Sequence, residues 1–342
     1  MYVAIRELHT ARGRFAMITV VVALLGVLVA FLGGLTAGLA RQNISAVQAL
    51  PGTHVVVADD GAPASFDRSQ LTDAQVDATM RADRAALPVG ISRGTVEAEG
   101  RVLPVAVFGM PPEATPDAVR REHGTIRLSA AAADSLGVRA GDRVTVGAMA
   151  FTVDVDHADR WYSHTPVAYV ALADWRLVNP QSGAATVVTT ASSPAVGGTV
   201  ALTRDRALSA IGSYDSEHRS LQLMTVMLFA ISALVVGSFF VVWTMQRIGD
   251  IATLKALGAA TRTLVVDALG QAALVLGLGV TVGTGLAAAV GVAVGGAVPF
   301  EVSASTTLLP ATLLIVLGLA GSVVALRFLI TTDPLTALNA AR

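Results

Sequence analysis

The sequence predicts an α-helical membrane protein with four transmembrane helices and an α+β extracytoplasmic domain inserted between helices 1 and 2. Three observations carry that prediction. Of 342 residues, 53% are hydrophobic and only 14% are charged, whereas roughly a quarter of the residues in an ordinary soluble domain carry charge. The apolar excess is gathered into four uncharged intervals: Phe15 to Ala40, Ser220 to Gln246, Ala268 to Phe300 and Val302 to Leu326. Between the first and the second lies a long stretch with ordinary charge density and short alternating runs, the pattern of a water-facing fold.

The elements follow in chain order. Residues 1–14 are a basic amphipathic segment and residues 15–40 the first membrane helix. A helix rises about 1.5 Å per residue and the hydrocarbon layer is about 30 Å thick, so roughly 20 apolar residues suffice to span it. All four intervals exceed that. The first begins directly after Arg12 and Arg14, lacks a small-residue cleavage site with the usual polar flank, and outruns a signal-peptide core, so it reads as a retained helix. Residues 41–219 form the extracytoplasmic domain, and residues 220–246 the second helix. A cytoplasmic segment at 247–263 leads to the third helix and its outer end at 264–300. An outer loop at 301–307, the fourth helix at 308–330 and a cytoplasmic tail at 331–342 complete the chain.

Orientation rests on the short flanks. Arg6, Arg12 and Arg14 precede helix 1, Arg247, Lys255 and Arg262 separate helices 2 and 3, and Arg327 closes helix 4, while the connection around Glu301 has no Lys or Arg. Basic residues in short loops stay on the cytoplasmic side, so both termini are expected there. The long segment from Arg41 to Arg219 is net acidic and the remainder net basic. The acidic part is the exported part.

Within that part His54 to Ala58 reads as a strand, Thr72 to Ala86 has helical spacing, and Val102 to Phe108 alternates partly around Pro104. Ser129 is placed to cap a short helix ending near Leu136 and Gly137. Beyond it Ala140-Gly141-Asp142 turns into Val144 and Val146, and Phe151, Val153 and Val155 return as a second strand of a small barrel or sheet element. Thr165 to Ala171 and Ala185 to Thr190 are further strands.

Composition also excludes functions. With no cysteine, thiolate zinc, iron–sulfur and cysteine-nucleophile chemistry are out. A net charge of -1 gives no footprint for nucleic acid. The one lysine, Lys255, has neither the spacing nor the following Ser/Thr of a phosphate-binding loop, so this chain does not bind ATP in that way. His54, His123, His157 and His164 are scattered without metal-ligand spacing and read as ordinary surface or core residues, and nothing selects a catalytic pair among the carboxylates. Eight glycines within Gly270–Gly296 and four more in helix 1 are read as close-packing positions, because lipid supplies no hydrophobic drive between helices.

A driving force must therefore come through a partner. The segment from Met245 to Ala259 can form one or two helical turns with Asp250 near the positive end and Gly258 at the exit. Such a helix either lies on the membrane face or enters a groove of another protein.

The stretch Arg247-Ile248-Gly249-Asp250-Ile251-Ala252-Thr253-Leu254-Lys255-Ala256-Leu257-Gly258-Ala259 is similar to R-x-G-E-I-x-x-L-K-A-L-G-A, and Asp333-Pro334-Leu335-Thr336-Ala337-Leu338 to D-P-x-x-A-L. With the order of one helix, a large outside domain and three further helices, the whole chain resembles the FtsX-like, MacB-type permease subunits of ABC transporters. Asp250 stands where Glu is commoner and keeps the charge. The resemblance implies a homodimer in the bacterial plasma membrane, carrying two separate ATPase subunits that bind the ATP and Mg. It also implies mechanotransmission, in which cytoplasmic hydrolysis moves the outside domain. The coupling role falls on Arg247, Gly249, Asp250, Leu254, Lys255, Leu257 and Gly258. The permease itself would have no catalytic residue and no intrinsic cofactor.

Within the family, Tyr2 to Leu8 and Arg160-Trp161-Tyr162-Ser163-His164-Thr165-Pro166 look most like the haem-exporting HrtB-type permeases and the related DevC-type exporters. Haem, as the transported ligand that branch implies, is flat, apolar and offers an axial iron site. Ligands are then expected where the outside domain meets the membrane: Glu217 foremost, with Tyr214, His218 and Met224 as further donors and Arg219 for a propionate. Tyr162 and Tyr169 are candidates from the domain side, packing being the alternative for each. A solvated cap of helix 2 is the alternative for the segment. Two other functions remain open at this level: export of another amphiphile, and regulation of a cell-envelope hydrolase through the outside domain.

Overall fold

The computed structural model describes residues 12–111, 123–156, 158–179, 183–246, 249, 253, 257–258, 260–294 and 298–331. The chain divides into two compact units, Leu39–Arg219 and the combination of Met1–Gly38 with Ser220–Arg342. Among the described residues, four helices are long and apolar enough to cross a membrane, and the sheet-rich unit lies in sequence between the first and the second.

The first helix, α1 (Arg12–Gln48), continues past the apolar interval that predicted its end at Ala40. Charge marks where an apolar layer stops, not where a helix does, and each further residue adds one backbone hydrogen bond. The extension is useful to the Leu39–Arg219 unit, called the outer unit after the side on which the sequence expects it, because Ile44, Val47 and Leu50 are buried in its core. Pro51, which cannot donate a backbone bond, follows. There Arg204 takes over: its guanidinium donates to the carbonyls of Gln48, Leu50 and Gly52.

The outer unit then runs β1 (His54–Ala58), α2 (Asp73–Ala82), β2 (Leu87–Ala98), β3 (Arg101–Met110), β4 (Thr125–Ser129), α3 (Ala130–Leu136), β5 (Arg143–Val146) and β6 (Met149–Asp156). It continues through β7 (Trp161–Tyr162), β8 (Thr165–Ala171), α4 (Leu172–Val178), β9 (Val187–Thr190), β10 (Thr199–Thr203) and α5 (Arg204–Leu208). All the described strands belong to one ten-stranded sheet in the order β10, β1, β9, β2, β3, β8, β4, β6, β5, with β7 attached to β8. Val96 of β2 also pairs with Val146 of β5, so β2, β3, β8, β4, β6 and β5 close on themselves. Closure removes exposed strand edges. The hairpin expected after Ala140 is β5–β6, and Ser129 does cap α3, accepting from the Ala132 N–H at 3.3 Å while Gly137 turns left-handed at its end. Pro104 is tolerated because β8 pairs with β3 only from Ala106 onward, leaving Pro104 on a free edge.

Trp175 of α4 is wholly buried and donates its indole N–H to Ser92 Oγ at 2.9 Å. Its ring lies on Gly90 and Gly109, which face each other across β2 and β3. A Cβ on either glycine would run into the indole. Thr72 forms a capping box with Gln75 at the start of α2, satisfying two otherwise orphan N–H groups.

The remaining unit adds α6 (Gly212–Gln246), α7 (Thr261–Val294) and α8 (Ala304–Thr331) to the apolar part of α1. Like α1, α6 reaches beyond its apolar interval, beginning at Gly212 and not at Ser220. Phe15, Val22, Phe240, Leu276, Val280 and Leu314 make the bundle core, and Trp243 meets Phe15 edge-on with ring centroids 4.8 Å apart. The glycines of α7 divide into packed and open positions. Gly279 and Gly283, one turn apart, face α1, and a Cβ on Gly283 would strike the Ala23 carbonyl; a Cβ on Gly291 would run into the Phe300 ring. A Cβ on Gly270, Gly277 or Gly285 would meet nothing within 4 Å. Close packing accounts for Gly279, Gly283 and Gly291; Gly295 and Gly296 lie outside the described residues.

Candidate functional site

Within the outer unit, the polar extensions of α1 and α6 are joined through the hairpin of β7 and β8. Tyr162 pairs with Thr165, leaving a two-residue connection in which Ser163 and His164 both have positive φ, 49° and 63°. This is the tight turn that suits twisted strands, and it usually takes Asn-Gly. A side chain in that region costs on the order of 1 kcal/mol per residue. Contacts with α1 offset it: the N–H groups of Ser163 and His164 donate to the carbonyls of Asn43 and Gln42, each at 3.0 Å, and the Trp161 N–H donates to Ser45 Oγ at 2.8 Å. Arg93 adds a bond to Ser163 Oγ at 3.0 Å.

The turn delivers His164 to Glu217. Its Nε2 lies 3.0 Å from Oε2 and 3.2 Å from Oε1 of the carboxylate, and Asn43 donates from Nδ2 to the same Oε2 at 3.1 Å. Asn43 is fully buried, while the side chains of His164 and Glu217 remain about one third and two fifths exposed, at 32% and 43%. A half-exposed carboxylate gripped from one side can still offer a lone pair to a ligand on the other. A groove of about 340 Å³ runs beside the hairpin, between Trp161, His164 and Pro166 and the facing Leu103, Pro104 and α3. Trp161 is fixed there by its indole N–H, which donates to Asp159 at 2.8 Å.

The other expected residues are placed as follows. Tyr214 and His218 stack one turn apart on α6, ring centroids 5.0 Å apart. Arg219 pairs with Asp215 at 3.1 Å on the same helix, an exposed contact of the kind worth only about 0.3–0.5 kcal/mol and readily exchanged for another anion. Met224 is exposed on the apolar stretch of α6. Tyr162 and Tyr169 are buried, both edge-on to Phe108, and burial, reinforced by the Asp67 carboxylate, pushes the Tyr162 phenol well above its usual range. Nothing in the sequence marks Asn43 as a site residue, and His164 carries no signal beyond its place within Arg160–Pro166.

Residues 223–334 match the family model of the FtsX-like permease C-terminal domain. The chain carries an FtsX-like permease domain. Over 99% of its length the permease is 27% identical to a Staphylococcus haemolyticus protein and 25% identical to one from Staphylococcus epidermidis, 99% of each being covered; both are named for the hemin transport system permease HrtB. Among solved structures, the periplasmic region of MacB from Actinobacillus actinomycetemcomitans matches 51% of the permease and 98% of itself at 13% identity and a TM-score of 0.34. The extracellular domain of the ABC-type transporter YknZ matches 46% and 87% at 11% and 0.30. A permease with four such helices is a protein of the bacterial plasma membrane.

Of the expected coupling residues in this permease, Arg247, Asp250, Leu254 and Lys255 lie outside the described residues. Around them, Thr253 Oγ1 donates to the Gly249 carbonyl and the Leu257 N–H to the Thr253 carbonyl, each at 3.0 Å. Leu257 is 79% exposed, and Gly258 has a φ of 92°, the left-handed conformation that ends helical turns.

Proposed function

We propose that the permease is the membrane subunit of a MacB-type ABC exporter that extrudes haem from the membrane or its outer leaflet, driven by ATP hydrolysis in a separate subunit. One observation carries the cargo: a partly exposed carboxylate, Glu217, held on α6 where polar sequence gives way to apolar sequence at Ser220. Haem needs such a boundary. Its macrocycle is soluble in lipid, its propionates seek water and cations, and its ferric iron takes an oxygen ligand. Glu217 would supply that oxygen, Arg219 would exchange Asp215 for a propionate, and the stacked rings of Tyr214 and His218 would offer a flat contact. The full-length relatives named for hemin transport support the same reading.

The remainder of the mechanism follows from the family. Two copies of the permease would place two Glu217 carboxylates at one cleft, both termini would face the cytoplasm, and residues 247–258 would seat the ATPase. Exposed Leu257 is suited to such a seat. ATPase closure would then push the inner ends of α6 and move the outer unit, with no solute crossing from the cytoplasm.

Ferric haem titrated into the purified full-length permease in detergent tests the cargo. Saturable binding that is lost in Glu217→Ala is expected, and the absence of saturable binding to the intact permease would exclude haem and favour another amphiphile. Lys255→Glu should impair ATPase association while leaving haem binding unchanged. Labelling of residues 247–258 from outside intact cells would overturn the orientation.

A further inference from the structure

We infer that Asn43 and His164 are positioning residues that hold the Glu217 carboxylate in one orientation for the incoming iron. The inference rests on the proposal that Glu217 is the haem ligand.

The argument begins with the donors. Asn43 Nδ2 and His164 Nε2 both reach Oε2, at 3.1 and 3.0 Å, and the two nitrogens are 3.4 Å from each other. Two nitrogens aimed at one oxygen serve as donors, so the imidazole carries its proton on Nε2, either as that tautomer or as the cation. Their bonds occupy Oε2, and Oε1 receives only the longer 3.2 Å contact from the same ring. An ionised carboxylate has about four acceptor sites. The less occupied oxygen, Oε1, is therefore the one free to meet a metal.

Each donor is itself immobilised. Asn43 is fully buried on the extension of α1, and its carbonyl accepts the Ser163 N–H. His164 occupies the second position of a two-residue turn whose backbone is strained, and its own N–H is bound to Gln42. Strain of this kind persists where the surroundings enforce it, and it gathers at functional sites. A glutamate on an exposed helix face would otherwise wander among rotamers. Here a fixed amide and a fixed imidazole, from two other elements, remove that freedom. Partners of metal-ligating carboxylates act in this manner, and their loss typically lowers metal affinity about 10–100-fold.

The experiment is a ferric haem titration of full-length permease in detergent, following the visible spectrum, for wild type, Asn43→Ala, His164→Asn, His164→Gln and Glu217→Ala. Asn tolerates the left-handed turn, so His164→Asn keeps the hairpin while withdrawing the donor from Glu217. His164→Gln keeps a donor near the position of Nε2. Asn43→Ala and His164→Asn are each expected to weaken haem binding about 10–100-fold and to alter the ferric spectrum, and His164→Gln to recover much of the loss. Wild-type affinity in both Asn43→Ala and His164→Asn, with binding lost in Glu217→Ala, would overturn the positioning role and leave the ligand role standing. Unchanged binding in Glu217→Ala overturns both. A loss in His164→Asn that His164→Gln does not recover, together with a lowered unfolding temperature of the full-length permease, would mark a general structural role and also sink the inference.

Discussion

The strand ring around Trp175 and the crossing of α1 with α7 both depend on glycine, and they use it for opposite purposes. Gly90 and Gly109 lack side chains so that a large one, the Trp175 indole, can lie flat on the sheet. Gly283 lacks one so that another backbone, at the Ala23 carbonyl, can come close. In a sheet-rich unit with a closed apolar core, removing a large apolar side chain from water is itself stabilising. Between helices in lipid no such gain exists, and association depends on closeness of fit. The same residue type is thus a seat for bulk in one unit and a means of excluding bulk in the other.

Substitutions ordered by expected effect probe this contrast. Trp175→Ala should be the most damaging, destabilising the outer unit by about 3–5 kcal/mol through the cavity above Gly90 and Gly109 and the loss of the bond to Ser92. Denaturant unfolding of the full-length permease, followed by near-ultraviolet circular dichroism, would show it. Gly283→Val should cost the bundle about 1–3 kcal/mol, at the upper end because the obstructing atom is backbone; thermal unfolding in detergent measures this, and a stability equal to wild type would mean that α1 and α7 do not meet as described. Thr72→Ala removes one half of the capping box and should cost about 1 kcal/mol, read as a small downward shift in the melting of the outer unit. Gly277→Ala, with open space around its Cα, should change stability by no more than about 0.5 kcal/mol. If Gly277→Ala were as harmful as Gly283→Val, the division of the α7 glycines into two faces would be wrong.

The architecture was legible because it is written in composition: long uncharged intervals and a polar insertion are properties of whole segments. Strands with simple alternation, such as Phe151 to Val155, were legible as well. β2 was not, because Pro88, Gly90, Ser92, Arg93 and Gly94 interrupt its pattern; Gly90 and Ser92 are there for Trp175, and Arg93 bonds to Ser163. The polar ends of α1 and α6 were missed for a related reason. On α1, Ile44 and Val47 are buried in the core of the outer unit, and on α6 Tyr214 packs against the same core, which no local pattern announces.

At the site, Glu217 could be found from its place at an apolar boundary. Its partners could not. Asn43 is 174 positions away in sequence and His164 is 53, and they meet only because a two-residue turn folds against a helix that the apolar pattern ended too soon. Ser163 and His164 also lack the Asn-Gly signature by which such turns are recognised.

The three tryptophans of the chain happen to sit in three separate environments: Trp175 in the dry interior of the sheet, Trp161 beside the Glu217 cluster, and Trp243 against Phe15 among the helices. Replacing any two by phenylalanine would leave a single intrinsic fluorophore reporting on one location. Emission from Trp161 alone should then be quenched when an absorbing porphyrin arrives nearby, so the protein already contains the optical probe needed to time that event against nucleotide turnover.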